Sequence, residues 1–444
     1  MHNNTPTSRS TWLGGRRIRG AVVTLSLGAA LFTIGAIGLA PDGNTTDQAA
    51  QRSAPARGSL SALQARVKLM PKDAGAWAAL GMAYVQQART TADPATYDRA
   101  ERALRRSLAV QPDDNTGAQI GLGALAAARH DFPSALDRAR RATATDPYSS
   151  VAYGVLADAY TQLGQYPASY RAVQRMNDLR PDAPALARAS YTFELRGRTD
   201  QAVTLMRRSL DAASTTGERS FAHTVLSTLA LQTGDTHQAL REAETGLRNA
   251  PGDSALLEAR ARARAALGQT RQAVDDYRAA IAVTPLPHYL LGLGELQQSL
   301  GHKEQAEAQY AVLRGQEAIR RAGRTPADTD AILFEADHGS PSRAVAMAQE
   351  ALRTRPFIAV HDACAWALHG AGRDAEALRQ ADQALALGTR SALFRYHRAV
   401  IQHALGDDAA ARSDLEAALR TEPRFHPLHA ATARALLQRI DETP

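Results

Sequence analysis

In HYLLGLGELQQSLGHKEQAEAQYAVL, residues 288–313, apolar side chains recur at helical spacing on both sides of Gly301. That is the pattern of two short helices meeting at a tight turn. Glycine suits the turn because the backbone there needs angles that a side chain resists. Ala306, five residues on, is small enough for its helix to approach the first one closely. Pro285 just before the stretch ends the preceding helical segment. A lone hairpin of this size leaves an apolar face uncovered, so it must stack on neighbours.

The neighbours can be read from punctuation. Prolines that end helical stretches fall at Pro112, Pro147, Pro181, Pro251, Pro285, Pro356 and Pro423, at intervals of 35, 34, 70, 34, 71 and 67 residues. Each interval is near 34 or twice 34. Turn glycines give a second marker: Gly164, Gly197, Gly234, Gly268, Gly301, Gly339, Gly372 and Gly406 are each followed, five residues later, by Ser169, Ala202, Ala239, Ala273, Ala306, Ala344, Ala377 and Ala411. The chain is expected to be all-α, a solenoid of about ten hairpins, which the resemblance given next implies to be a right-handed superhelix. Seven extra residues around Thr90 to Tyr97 predict a lengthened turn in the first unit, with further irregularities near Ser214–Glu218 and Arg320–Pro326.

Trp77, Leu80, Gly81, Tyr84, Ala100, Leu104, Ser107 and Pro112, with Tyr153, Leu156, Ala157, Tyr160, Gly164, Ser169 and Pro181 later, resemble the signature of the tetratricopeptide repeat family. The resemblance covers residues 74–423. It implies a protein- or peptide-binding scaffold that is not an enzyme, whose first helices line a concave groove. In this family the residues ten, six and three before the turn glycine tend to face that groove. The candidate partner-binding residues are therefore Leu291, Glu295, Gln298, Thr329, Leu333, Asp362, Trp366, His369, Tyr396 and His403. His369 and His403 lie 34 residues apart and are expected side by side. Trp366 and Tyr396 have an alternative reading as hairpin packing.

Outside the array, residues 1–19 form a basic segment. Residues 20–40, GAVVTLSLGAALFTIGAIGLA, carry no charge and are long enough to span a bilayer. The arginines before them predict that end to be cytoplasmic and the array to lie outside the membrane. A single-pass anchor is expected, with signal cleavage and secretion as the alternative. Residues 41–58 read as a flexible linker, and 59–440 as the array, with capping helices at 59–71 and 427–440.

The formal charge is +7, but Arg9, Arg16, Arg17 and Arg19 supply four of those charges, so the rest is nearly balanced and carries no nucleic-acid signature. Lysine occurs only at Lys68, Lys72 and Lys303. The arginine bias looks like the product of a GC-rich, actinobacterial-like genome. The near absence of lysine also argues against a lysine clamp for a C-terminal carboxylate. Cys364 is alone and forms no internal disulfide.

Gly121-Leu122-Gly123 imitates a dinucleotide loop but lies in a helical pattern, where close packing explains it. His361, Asp362, Cys364 and His369 are the richest set of ligand types; Cys364 falls at a core-facing position. Asp337-His338 reads as a solvated turn. No cofactor or metal is expected. A cytosolic scaffold or regulator, and a metal-handling or enzymatic protein using the late histidines, remain the alternatives.

Overall fold

The computed structural model describes residues 59–442, except 92–93 and 323–325. The described residues form twenty-two helices and no strand. Helix α1 (Leu60–Leu69) covers one end. Ten hairpins follow: α2 (Ala74–Thr91) with α3 (Pro94–Val110), α4 (Thr116–Ala128) with α5 (Phe132–Thr145), α6 (Ser150–Gln162) with α7 (Tyr166–Leu179), α8 (Ala183–Glu194) with α9 (Thr199–Asp211), and α10 (Thr216–Leu231) with α11 (Thr236–Asn249). The second five are α12 (Ser254–Ala266) with α13 (Thr270–Val283), α14 (Pro287–Ser299) with α15 (Lys303–Ala322), α16 (Thr329–His338) with α17 (Pro341–Thr354), α18 (Ile358–Gly370) with α19 (Asp374–Leu385), and α20 (Ala392–Ala404) with α21 (Asp408–Thr421). Helix α22 (His429–Glu442) ends the described chain. The apolar run at 20–40, the basic segment and the linker lie outside the described residues. Among the described residues no helix is long and apolar enough to cross a membrane.

The hairpins pack by shape. All eight small residues that follow the turn glycines are buried, and serines exploit the approach they permit. Ser190 donates to the carbonyl of Ala202 at 2.7 Å and Ser227 to that of Ala239 at 2.8 Å, tying first helix to second. Between hairpins, the Leu104 side chain nests against two glycines: a methyl group added to Gly81 or Gly121 would sit 2.4 or 2.2 Å from it. The glycines of 121–123 thus serve helix packing. Turn glycines such as Gly197, with φ 67°, adopt left-handed backbone. In hairpin α4/α5 a histidine, His130, holds this conformation, with φ 61°.

Two local expectations are corrected. Gly339 has φ −135° and is not a left-handed turn. Its missing side chain instead leaves room for the Glu335 carboxylate, which accepts the Ser340 amide at 2.6 Å. The extra residues near Thr90 do not make a lengthened turn, because the helices absorb them: α2 has 18 residues and α3 has 17. The segment around Arg320 is treated likewise, in the 20-residue α15.

The coil returns onto itself. The turn of hairpin α6/α7 meets the junction after α17, where a methyl on Gly164 would lie 2.6 Å from the Pro356 carbonyl oxygen. The next turn meets the junction after α19, with the corresponding distance from Gly197 to the Gly388 oxygen 2.2 Å, and the following one meets the end of α21, from Gly234 to the Thr421 oxygen, 3.4 Å. The Ile358 amide donates to the Tyr166 hydroxyl at 2.9 Å across this seam. Between five and six hairpins therefore complete one turn, and the concave face is partly enclosed between successive turns.

Candidate functional site

The enclosed space is a chamber of about 1060 Å³. Its wall is built from the first helices of four consecutive hairpins, α8, α10, α12 and α14, so each helix contributes one face at intervals of about one turn. Tyr191 and Glu194 come from α8, Phe221 and Thr228 from α10, Glu258 and Arg262 from α12, Leu291 and Glu295 from α14. The opposite side is closed by the C-terminal strap, residues 422–434, through Glu422, Phe425 and His426.

One ion pair and several polar contacts hold the strap. His426 Nε2 lies 3.0 Å from Glu295 Oε2, and His338 Nε2 lies 3.6 Å from the other oxygen. Burial pushes the Glu295 carboxyl up, but His426 and His338 outweigh it and hold it at about 2. Burial pushes the His426 imidazole down; Glu295, with Asp337 and Glu422, outweighs that and raises it above its ordinary value. The two shifts agree that the pair is ionised. One residue turn further, His429 Nε2 lies 3.6 Å from Asp337 Oδ2, and the indole N–H of Trp366 donates to Asp337 Oδ1 at 2.7 Å. Asp337-His338 is accordingly not a solvated turn: it joins the strap to two hairpins, with His338 stacked on Tyr310 at 4.3 Å.

Elsewhere in the chamber the charges are less well matched. Arg262 lies 3.8 Å from Glu258 and also feels Glu422. Burial raises the carboxyls of Glu258 and Glu422 despite that guanidinium. It also raises Glu194, whose side-chain hydrogen bond comes from the neutral amide of Gln232 at 2.9 Å. His288, beside Arg262, is held down to about 3 by burial, with the arginine adding to it.

Of the ten residues expected to face a partner, Leu291 and Glu295 line this chamber. Gln298 accepts the Tyr310 hydroxyl at 2.9 Å; Thr329 opens α16, and Leu333 packs half-buried on the core. Asp362 is buried with both carboxylate oxygens 3.0 Å from His397 Nδ1. Trp366 stacks on His397 at 4.3 Å, and Tyr396 on His429 at 5.0 Å. Both aromatic rings are in the core that seats α22. His369 and His403 repeat one role in two units, each 2.5 Å from the aspartate five residues on, Asp374 and Asp408, at the start of the second helix. Cys364 is buried, which pushes its thiol up to about 11. Its neighbours in sequence have separate partners, His361 pairing with Gln380 at 2.7 Å. Among the described residues no group of three or more metal-ligand side chains is poised to hold an ion.

Glu194, Glu258, Arg262, Glu422 and His426 were not among the expected site residues. The groove rule itself finds three of them, since Glu258 and Arg262 stand ten and six before Gly268, and Glu194 three before Gly197. The strap residues follow the last repeat and carry no repeat signal.

No family model matches the chain, and no curated protein matches it. Solved structures to which it is similar include a tetratricopeptide repeat protein from Parabacteroides merdae, at 19% identity over 58% of this chain and 98% of that one, with a TM-score of 0.34. Yeast Tom70 is similar at 13% identity over 87% and 93%, TM-score 0.35. Human IFIT1, solved as a dimer with PPP-AAAA, is similar at 13% identity over 82% and 94%, TM-score 0.43. The assignment of this chain as a helical-repeat solenoid rests on its own ten hairpins.

Proposed function

We propose that this protein is a non-catalytic scaffold of tetratricopeptide type that holds a segment of a protein partner in the chamber, and that residues 20–40 anchor it with the array on the outer side of a membrane. The observation that carries the first part is the chamber itself. Four helices present aromatic, aliphatic and polar side chains to one enclosed space, the mixture that buries area while fixing register. The anchor is supported by the uncharged run directly after an arginine cluster.

A photo-crosslinking amino acid at Ser299, on the chamber wall, should trap a partner segment in native membranes. The same group at Tyr148, which is 77% exposed and outside the chamber, should trap none of it. Equal labelling from both positions would reject the chamber as the binding place. Protease added to intact cells should digest the array if it lies outside; protection of the array until lysis would reject the orientation.

A further inference from the structure

The chamber and the whole chain have opposite electrostatic character. The chain is +7, yet six carboxylates line the chamber, from Glu194, Asp253, Glu258, Glu295, Asp330 and Glu422, against the arginines Arg262, Arg424 and Arg434. Some of these acids are already employed. Glu295 is matched by His426 at 3.0 Å, and Asp253 accepts the first amides of α12 at 3.0 and 3.1 Å. Glu258 and Glu422 share Arg262, which lies 3.8 Å from Glu258, beyond hydrogen-bond distance, and keeps 37% of its side-chain surface accessible. Glu194 has a neutral amide for its hydrogen bond.

Carboxylates set among Phe221, Tyr277 and Phe425 are half-buried and so partly stripped of solvent, and one shared guanidinium beyond hydrogen-bond distance does not fully compensate for it. A guest that brings its own positive charge removes this deficit. The aromatic and aliphatic wall suits the stem of such a side chain, and ring faces attract its cationic head. We infer that the chamber selects a peptide segment carrying arginine or lysine side chains, which meet Glu194, Glu258 and Glu422 while apolar residues between them pack on the wall. This deepens the scaffold reading and rests on it.

The test is calorimetric titration of the full chain in detergent with three short peptides of equal length: alternating leucine and arginine, leucine and glutamine, leucine and glutamate. The leucine–arginine peptide should bind at least about tenfold more tightly than the glutamine one, with the glutamate one weakest, and its affinity should fall with added salt. Glu258→Gln and Glu422→Gln, isosteric changes that also remove a desolvated charge, should each weaken the arginine peptide about tenfold. They should leave the glutamine peptide unaffected and the melting temperature no lower. Adsorption to the outer surface is separated by the two variants, because it would survive both substitutions. Equal binding of all three peptides, or unchanged binding to the variants, would overturn the charge inference and leave the scaffold standing. Binding of none would overturn both.

Discussion

Helices α1 and α22 each cover an open end of the same array, and they do so by opposite means. At the N-terminal end, Leu63 and Val67 pack on hairpin α2/α3, and Gln64 donates to the Tyr84 hydroxyl at 2.9 Å. Beyond them Leu69 is 83% exposed. That end is held by local contacts, apolar packing on the next hairpin with the Gln64–Tyr84 hydrogen bond and an Arg66–Asp73 ion pair at 2.8 Å. At the C-terminal end, Ala433, Leu436 and Ile440 supply a similar apolar stripe, but the strap leading into α22 also reaches Glu295 and Asp337, more than ninety residues away in sequence. A cap that merely shields an apolar face contributes local stability. One that reaches back to hairpins more than ninety residues earlier makes the later part of the coil a unit.

The contrast can be broken at either end. At the first, Leu104→Ala empties the space between Gly81 and Gly121 and should cost about 3 kcal/mol, confined to the first two hairpins by hydrogen exchange. At the strap, Glu295→Ala removes the carboxylate that keeps His426 protonated against its burial, so the imidazole loses its proton and the strap its ion pair, at a cost of about 2 kcal/mol. The same measurement should show α22 and hairpin α16/α17 loosened, with α1–α3 unchanged. If Leu104→Ala loosened the strap as well, the picture of a locally held N-terminus would fail.

Turn glycines sharpen it further. Gly301 has φ 81° with nothing near its Cα side, so Gly301→Ala pays only backbone strain, about 1 kcal/mol. At Gly197 the same strain is joined by a collision with the Gly388 oxygen. Gly197→Ala should therefore cost more than Gly301→Ala by thermal melting, and only the former should expose the junction after α19.

The smallest effect is that of pH, which titrates the strap pair without removing it. Glu295 is depressed from 4.5 to about 2, so its contribution is complete above pH 4.5 and is lost as pH falls towards 2. His426 is raised above 6.5, so its contribution is complete below pH 6.5 and is lost as pH rises through its folded value. His429, which burial depresses against the pull of Asp337, has the opposite sign. Comparison with His426→Gln isolates the first histidine: the native chain should lose strap protection on going from pH 6.5 to 9, and the variant should show no such loss.

How much of this was readable beforehand follows from what is local. The spacing of Pro147, Pro181 and Pro251 and the pairing of Gly234 with Ala239 are properties of single hairpins, and they yield the helices and their tight approach. Trp366 and Tyr396 carried two readings, groove and hairpin packing, because aromatic residues serve grooves and cores equally well, and what places them in a core is that α22 lies over them. The groove rule works at Glu258, Arg262 and Glu194, where the coil is enclosed. Closure itself sums small rotations from hairpin to hairpin, and no motif near Gly164 announces Pro356, 192 residues later.

That closure turns a groove into a chamber, and one amide reports it. The N–H of Ile358 is the first of α18 and has no partner within its helix, so its hydrogen bond to Tyr166 is its protection. Hydrogen exchange at Ile358 in Tyr166→Phe should accelerate roughly tenfold while α6 and α7 keep their native rates. An Ile358 amide that exchanges equally fast in the native chain and the variant would show that the turns of the coil do not meet.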